Sequence, residues 1–260
     1  MPLDRRTVLR STLLAVGGAA AAGCTPHEQT PASTPTPSGT PSETPAPSPV
    51  QPSQPALPLP AAAVEVGHGP RSVRKVALTF HGNGDPALAE RLLALVEGHA
   101  ARISVLAVGT WLVSHPEMAT RILHGRHDLG NHTMHHKPMR TLGSADAHRE
   151  VGDCAAVLRR TANSKGRWFR ASGTQRTTPL IRSAAAAAGY DTCVSYDVDG
   201  LDWQDPPADT VVRAVLDGVR PGSIVSLHLG HQVTIAALPR ILAGLSTKRL
   251  QPVTLTELLA

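Results

Sequence analysis

The sequence predicts an α/β domain of parallel strands joined by helical crossovers, and three observations predict it. Short runs rich in β-branched and apolar residues alternate with longer stretches of helical periodicity. Several helical stretches open at a proline, which suits a first helical turn because that turn has no use for its N–H. The apolar runs end in turns carrying glycine, histidine or aspartate, as at Phe80-His81-Gly82 and Leu227-His228. A β-α-β order of this kind leaves either an open sheet or a barrel.

Val73 to Phe80 reads as the first strand, ending in a glycine-rich turn. Pro86 starts a helix that continues over Ala87 to Ala100, with apolar residues at helical spacing. Ile103 to Val108 is a strand and His115 to His124 a helix with Pro116 near its start. Asp128 to Asn131 is a short strand leading into a histidine-rich turn, followed by a helix over Ala145 to Thr161 and a strand over Arg167 to Arg170. Pro179 begins a helix over Thr178 to Ala188. Thr192 to Asp197 is a strand, Asp209 to Asp217 a helix, Ser223 to Leu229 a strongly apolar strand and Leu238 to Leu245 a helix, with Val253 to Leu255 closing the set.

The domain occupies only part of the chain. Arg5 and Arg6 precede an apolar run from Val8 to Ala22 that is short for a transmembrane span. The Asp-Arg-Arg-Thr-Val-Leu stretch resembles a twin-arginine export signal. The run closes on Ala-Ala-Gly-Cys, which resembles the lipobox of bacterial lipoproteins, so residues 1–23 are expected to be a signal peptide and Cys24 a lipidated N-terminus. Residues 24–65 form a linker. From Thr25 to Pro60 it holds 12 of the 23 prolines, interleaved with Ser, Thr and Ala, and such a composition favours an extended spacer over a packed core. At roughly 3 Å per residue the spacer reaches about 100 Å from a membrane. Residues 66–260 are then the globular domain, expected to be extracytoplasmic, lipid-anchored and monomeric.

Charge argues against a nucleic-acid partner. The formal net charge is +5, but three arginines against Asp4 put +2 of it in the signal peptide. The remainder is small, without a basic run or an aromatic series to stack on bases. In an oxidising compartment Cys154 and Cys193 are either bridged or two buried free thiols.

Four segments carry candidate chemistry, each at a strand end, where parallel α/β proteins build their sites. His132 and His136 are four residues apart, and on a helical turn both imidazoles point the same way, giving two of the three protein ligands of a catalytic zinc. His81 and Asp85 follow the first strand in Thr79-Phe-His-Gly-Asn-Gly-Asp-Pro86. Asp197-Val-Asp-Gly-Leu-Asp-Trp203 follows another strand, and His228 ends Ile224-Val-Ser-Leu-His228.

In their order these segments resemble the polysaccharide deacetylases of carbohydrate esterase family four. The resemblance is carried by Val76-Ala-Leu-Thr-Phe80, Gly109-Thr-Trp-Leu-Val-Ser-His-Pro-Glu117, Leu129-Gly-Asn-His-Thr-Met-His-His136 and Phe169-Arg170. Asp202-Trp203, Ile224 to His228 and Pro252-Val-Thr-Leu-Thr-Glu-Leu-Leu259 complete it. It covers nearly the whole globular part. It implies a distorted (β/α) barrel with fewer than eight regular repeats, and a metal-dependent hydrolase, zinc first, that removes N-acetyl groups from a cell-envelope glycan such as peptidoglycan. Site residues follow from the same resemblance. His132 and His136 bind metal, His228 is the general acid, Asp202 orients it, and Arg170 pairs with the catalytic base. Trp203 and Leu227 line the acetyl pocket, and a backbone N–H near Gly173 helps hold the oxyanion. The family's adjacent aspartates, base and metal ligand, are here His81-Gly82. Asp85 is therefore assigned as third ligand and His81 as base, the exchanged arrangement being the alternative. An O-acetyl esterase and a non-catalytic glycan-binding protein are the rival functions.

Overall fold

The computed structural model describes residues 62–260; the expected signal peptide, Cys24 and all but the end of the expected linker lie outside the described residues. The chain runs through Val64–Val66 (β1), Lys75–Gly82 (β2), Pro86–Gly98 (α1), Ser104–Ala107 (β3), Gly109–Ser114 (α2) and Glu117–His124 (α3). Asp128–Asn131 (β4), Ser144–Ala162 (α4), Pro179–Ala187 (α5), Thr192–Val194 (β5) and Val198–Asp199 (β6) follow. Ala208–Gly218 (α6), Ile224–His228 (β7), Gln232–Thr247 (α7), Gln251–Val253 (β8) and Leu255–Leu258 (α8) complete it. No described helix is long and apolar enough to cross a membrane.

All pairs of named strands are parallel. β2 is the centre of a ladder ordered β4-β3-β2-β7-β6. Ala77 of β2 lies between Ile224 of β7 and Val253 of β8, so β8 shares with β3 the edge opposite β7. Beyond β4 the ladder thins to single bridges, Asn131 to Phe169 and Phe169 to Cys193, before β5 pairs with β1. Parallel strands with helical crossovers are what the sequence predicts, and the one-residue link at Phe169 is where the repeats lose regularity.

Alternation along the central strands sorts their residues. On β2, Val76, Leu78 and Phe80 pack with Leu92 and Leu93 of α1 and Leu238 of α7. Successive strand side chains point to opposite faces, so Ala77, Thr79 and His81 face the other way. On β7, Val225 and Leu227 join the same outer cluster, which leaves Ser226 and His228 on the inner face. Fully burying one such aliphatic side chain contributes about 1.5–3 kcal/mol, so register is firmly specified, and with it the direction in which each histidine points.

Helix starts follow the proline signal. Asp85 caps α1, its carboxylate accepting the Ala87 N–H at 2.9 Å, with Pro86 in the first turn. Thr178 caps α5 ahead of Pro179, and a reciprocal pair of bonds between Thr254 and Glu257 caps α8. Cys154 and Cys193 are both free and buried, and burial pushes each thiol up to about 12.

Candidate active site

The carboxyl ends of the strands converge on a cleft of about 600 Å³. His81 of β2 and His228 of β7 are register partners on adjacent strands, with ring centroids 4.4 Å apart. His132 follows β4 directly and its ring centroid lies 4.2 Å from that of His81. His136 closes the group, its Nε2 3.1 Å from His132 Nε2. One nitrogen from each of His81, His132 and His136 falls within 4.8 Å of the others.

The turn carrying two of these histidines is not helical, contrary to the expectation from their spacing. Thr133 and His136 both take left-handed backbone angles, φ 69° and 57°. Such angles are uncommon outside glycine, and two anchors hold them. The Asn131 side chain accepts the Thr133 N–H at 2.8 Å. Glu150, a buried carboxylate on α4, accepts both the backbone N–H and the Nδ1–H of His135 at 2.8 Å. Burial raises the Glu150 carboxyl, but these bonds outweigh it and hold the group below its ordinary value.

The donor set fits a divalent metal. His132 Nδ1 lies 3.0 Å from the Arg170 carbonyl oxygen, which can only accept, so Nδ1 carries the proton and Nε2 keeps a free lone pair, the arrangement usual for a metal-ligating histidine. The 3.1 Å between the two Nε2 atoms is near the edge of a tetrahedral zinc shell, about 3.3 Å for bonds of about 2.0–2.1 Å. His81 Nδ1 is the buried side-chain polar atom without a hydrogen-bond partner among the described residues, and buried polar atoms are rarely left so. Burial first, then neighbouring imidazoles, holds His81 and His132 well below the ordinary histidine value and His136 below it. All three therefore present neutral nitrogens near pH 7.

Beside the cluster stands a histidine–carboxylate pair. Asp202 is fully buried, with Oδ1 2.8 Å from His228 Nδ1 and Oδ2 accepting the His228 N–H at 2.8 Å and the Thr234 hydroxyl. Asp202 reaches this position in a short 3₁₀ turn, Asp202–Gln204, that follows a left-handed Leu201. A second pair, His231 Nδ1 to Asp205 Oδ1 at 2.8 Å, sits at the mouth of the same cleft.

Several expected residues stand elsewhere. Asp85 is exposed and capping α1, outside the histidine cluster and the cleft lining. His81 stands in the histidine cluster instead, since Asp85 lies beyond the turn and its carboxylate caps the helix. Leu227 is fully buried on the outer face of β7 and does not reach the cleft; Ser226 lines it instead. Strand alternation, applied backwards from His228, identifies Ser226. Among the described residues Arg170 makes no ion pair with a carboxylate. Its guanidinium donates to the Val194 and Ser195 carbonyls, both at 3.1 Å, and to Thr79 Oγ1 at 2.8 Å. Burial brings it down to about 10, so it remains a cation. Trp203 and Gly173 do line the cleft, Trp203 with 53% of its surface exposed. Gly173 has φ +65°, and a Cβ there would come within 2.8 Å of Pro138 Cα. Gly82 is closed to a carboxylate for a similar reason, since its Cβ would lie 2.8 Å from Val105 Cγ1 and 3.0 Å from Ala107 Cα.

Comparison with known proteins identifies the family. A profile for polysaccharide deacetylases matches residues 68–193. A chitooligosaccharide deacetylase of Bradyrhizobium sp. (strain ANU 289) is 31% identical over 175 residues, covering 66% of this chain and 79% of that protein. A peptidoglycan-N-acetylglucosamine deacetylase of Bacillus cereus is 27% identical over 194 residues, covering 73% and 90%. Among solved structures, a carbohydrate esterase family four pseudoenzyme from Bacillus anthracis superposes with a TM-score of 0.71 at 24% identity, covering 76% of this chain and 70% of that one, a likeness of fold. With a relative 31% identical and covered over 79% of its length, the chain belongs to the polysaccharide deacetylase family.

Proposed function

We propose that this protein is a metal-dependent hydrolase that removes N-acetyl groups from an envelope glycan such as peptidoglycan, with His81, His132 and His136 as the metal ligands. The observation that carries this reading is the meeting, in one cleft, of three imidazole nitrogens within 4.8 Å and a buried His228–Asp202 pair. A bound divalent ion, zinc first, supplies Lewis acidity to the acetamide carbonyl and the attacking water. The protein's own groups do the rest. The Asp202 carboxylate holds the His228 Nδ1 proton, so Nε2 is the atom that gives a proton to the departing amine. Arg170 fixes His132 through its carbonyl. Trp203 offers an exposed indole face to a sugar ring, and the backbone at Gly173 lies in the cleft where an oxyanion donor is needed.

The test is acetate release from N-acetylated wall glycan, with metal content measured on the same sample. The expected result is one zinc per chain and turnover that stops on chelation and returns with zinc. Zinc-loaded protein that releases no acetate from N-acetylated glycans sinks the reading. One observation favours a second reading, a glycan-binding protein without turnover: His81-Gly82 stands where the family's aspartate pair is expected.

Location is a proposal of the same kind. Relatives named for peptidoglycan support a place of action outside the cytoplasm, and Cys24 is the proposed lipidation site that tethers the domain through its proline-rich spacer. Cys24→Ser is expected to move the protein from the membrane fraction to the soluble one. A mutant that stays as tightly bound as the parent means another anchor.

A further inference from the structure

Deacetylation needs a proton acceptor for the attacking water as well as a metal, and on the reading above His81 is already committed to the metal. Among the residues lining the cleft, one is a carboxylate, Asp199. It ends β6 and is the register partner of Ser226 on β7, whose hydroxyl lies 3.4 Å from His81 Nε2. Register partners in a parallel sheet project to the same face, so Asp199 and Ser226 form a row on the inner face, with His228 and His81 in the next row toward the strand ends. Two strand spacings of about 4.8 Å each separate Asp199 from β2.

The carboxylate is held in place on the cleft wall. Asp199 Oδ1 accepts the Leu201 N–H at 2.9 Å, which fixes the group. Arg170 is a buried cation bonded to two carbonyls and one hydroxyl, and Asp199 is an acidic group close enough to act on its charge. Asp85, the carboxylate of the altered first motif, is exposed at the start of α1 and does not line the cleft.

The geometry points to Asp199 as the general base of this enzyme, a role moved from the end of β2 to the end of β6. This assignment rests on the deacetylase reading. One water proton passes to Asp199 as the water oxygen bonds to the acetamide carbon. His228 then gives its Nε2 proton to the nitrogen as the C–N bond breaks, releasing the amine and acetic acid. The proton on Asp199 returns to His228 through solvent, and both groups are restored.

The test compares Asp199→Asn with the parent on N-acetylated glycan, reading kcat, KM and bound zinc together. The expected result is a fall in kcat of about 10²–10⁴-fold, with zinc stoichiometry and KM unchanged. In Asp199→Ala, added formate is expected to restore part of the rate, which a purely structural residue does not allow. Parent-like turnover in Asp199→Asn overturns the assignment while leaving the deacetylase reading in place. A zinc-loaded parent that releases no acetate takes down both. Should the Asn variant fail to fold beside Arg170, Asp199→Glu decides, because it keeps the charge and displaces the carboxylate by one methylene. A base then predicts kcat lower by at least about ten-fold at unchanged zinc, whereas parental turnover overturns the proposal.

Discussion

His81→Ala is expected to abolish tight zinc binding, and Asp85→Ala to leave it intact. A catalytic zinc takes three protein ligands and keeps one position open, and the three nitrogens that converge here belong to His81, His132 and His136. Losing even an outer-shell partner costs about 10–100-fold in metal affinity, so loss of a direct ligand is expected to exceed about 100-fold. The domain should still fold, since the His81 Nδ1 has no hydrogen bond to lose among the described residues. Asp85→Ala should act on stability instead. It removes the N-cap of α1, which costs about 0.5–2 kcal/mol, and a thermal melt of the metal-free protein should show that loss. Zinc measured on both purified variants decides the matter. Full zinc in His81→Ala with loss in Asp85→Ala restores the arrangement first read from the sequence and removes the three-histidine site.

Much of the fold was legible because its elements are specified locally. β4 has the bounds expected, and the α5 start was marked by Thr178-Pro179. The elements missed have weak local signals. β1 is three residues long and begins inside the segment expected to be linker, at Val64. α2 is six residues opened by a glycine. The strand expected over Arg167 to Arg170 is reduced to bridges at Phe169, a matter of tertiary pairing with β4 and β5.

The site divides along the same line. His132, His136, Asp202 and His228 meet at strand ends as their positions implied, because the ends of parallel strands lie together whatever loops follow. How His132 and His136 come to face each other was not legible. The turn depends on Glu150, which is remote in sequence, and on a β-branched threonine held in a left-handed conformation. Spacing alone favoured a helical turn. The error at Leu227 was of another kind, since a strand alternates and a residue adjacent to His228 must face away from the cleft. Asp85 misled because a carboxylate after a proline-marked turn serves a helix cap as readily as a metal, and here the Ala87 N–H claims it.

His228→Ala should cut turnover by about 10²–10⁴-fold, the range for a general acid, with zinc still bound. The argument begins at Asp202, which is fully buried and accepts three hydrogen bonds, two of them from His228 itself. A carboxylate only accepts, so the proton shared with His228 resides on Nδ1 and the ring is fixed with Nε2 toward the cleft. His228 lies outside the three-histidine group, so its loss should leave the metal in place and KM for the glycan little changed. Asp202→Asn is the companion. An amide brings no negative charge to stabilise His228 with both ring nitrogens protonated, the form that gives up its Nε2 proton while keeping Nδ1–H. Its kcat is expected to fall by a similar order while the fold survives. In Asp202→Ala, by contrast, the His228 N–H and the buried Thr234 hydroxyl lose their acceptor, which costs about 1–3 kcal/mol for each group, so the melting temperature should drop as well. Zinc lost together with His228 would instead make that residue a ligand. Parental turnover in His228→Ala would leave the leaving nitrogen to be protonated by another group, of which His231, paired with Asp205 at the cleft mouth, is the nearest in kind.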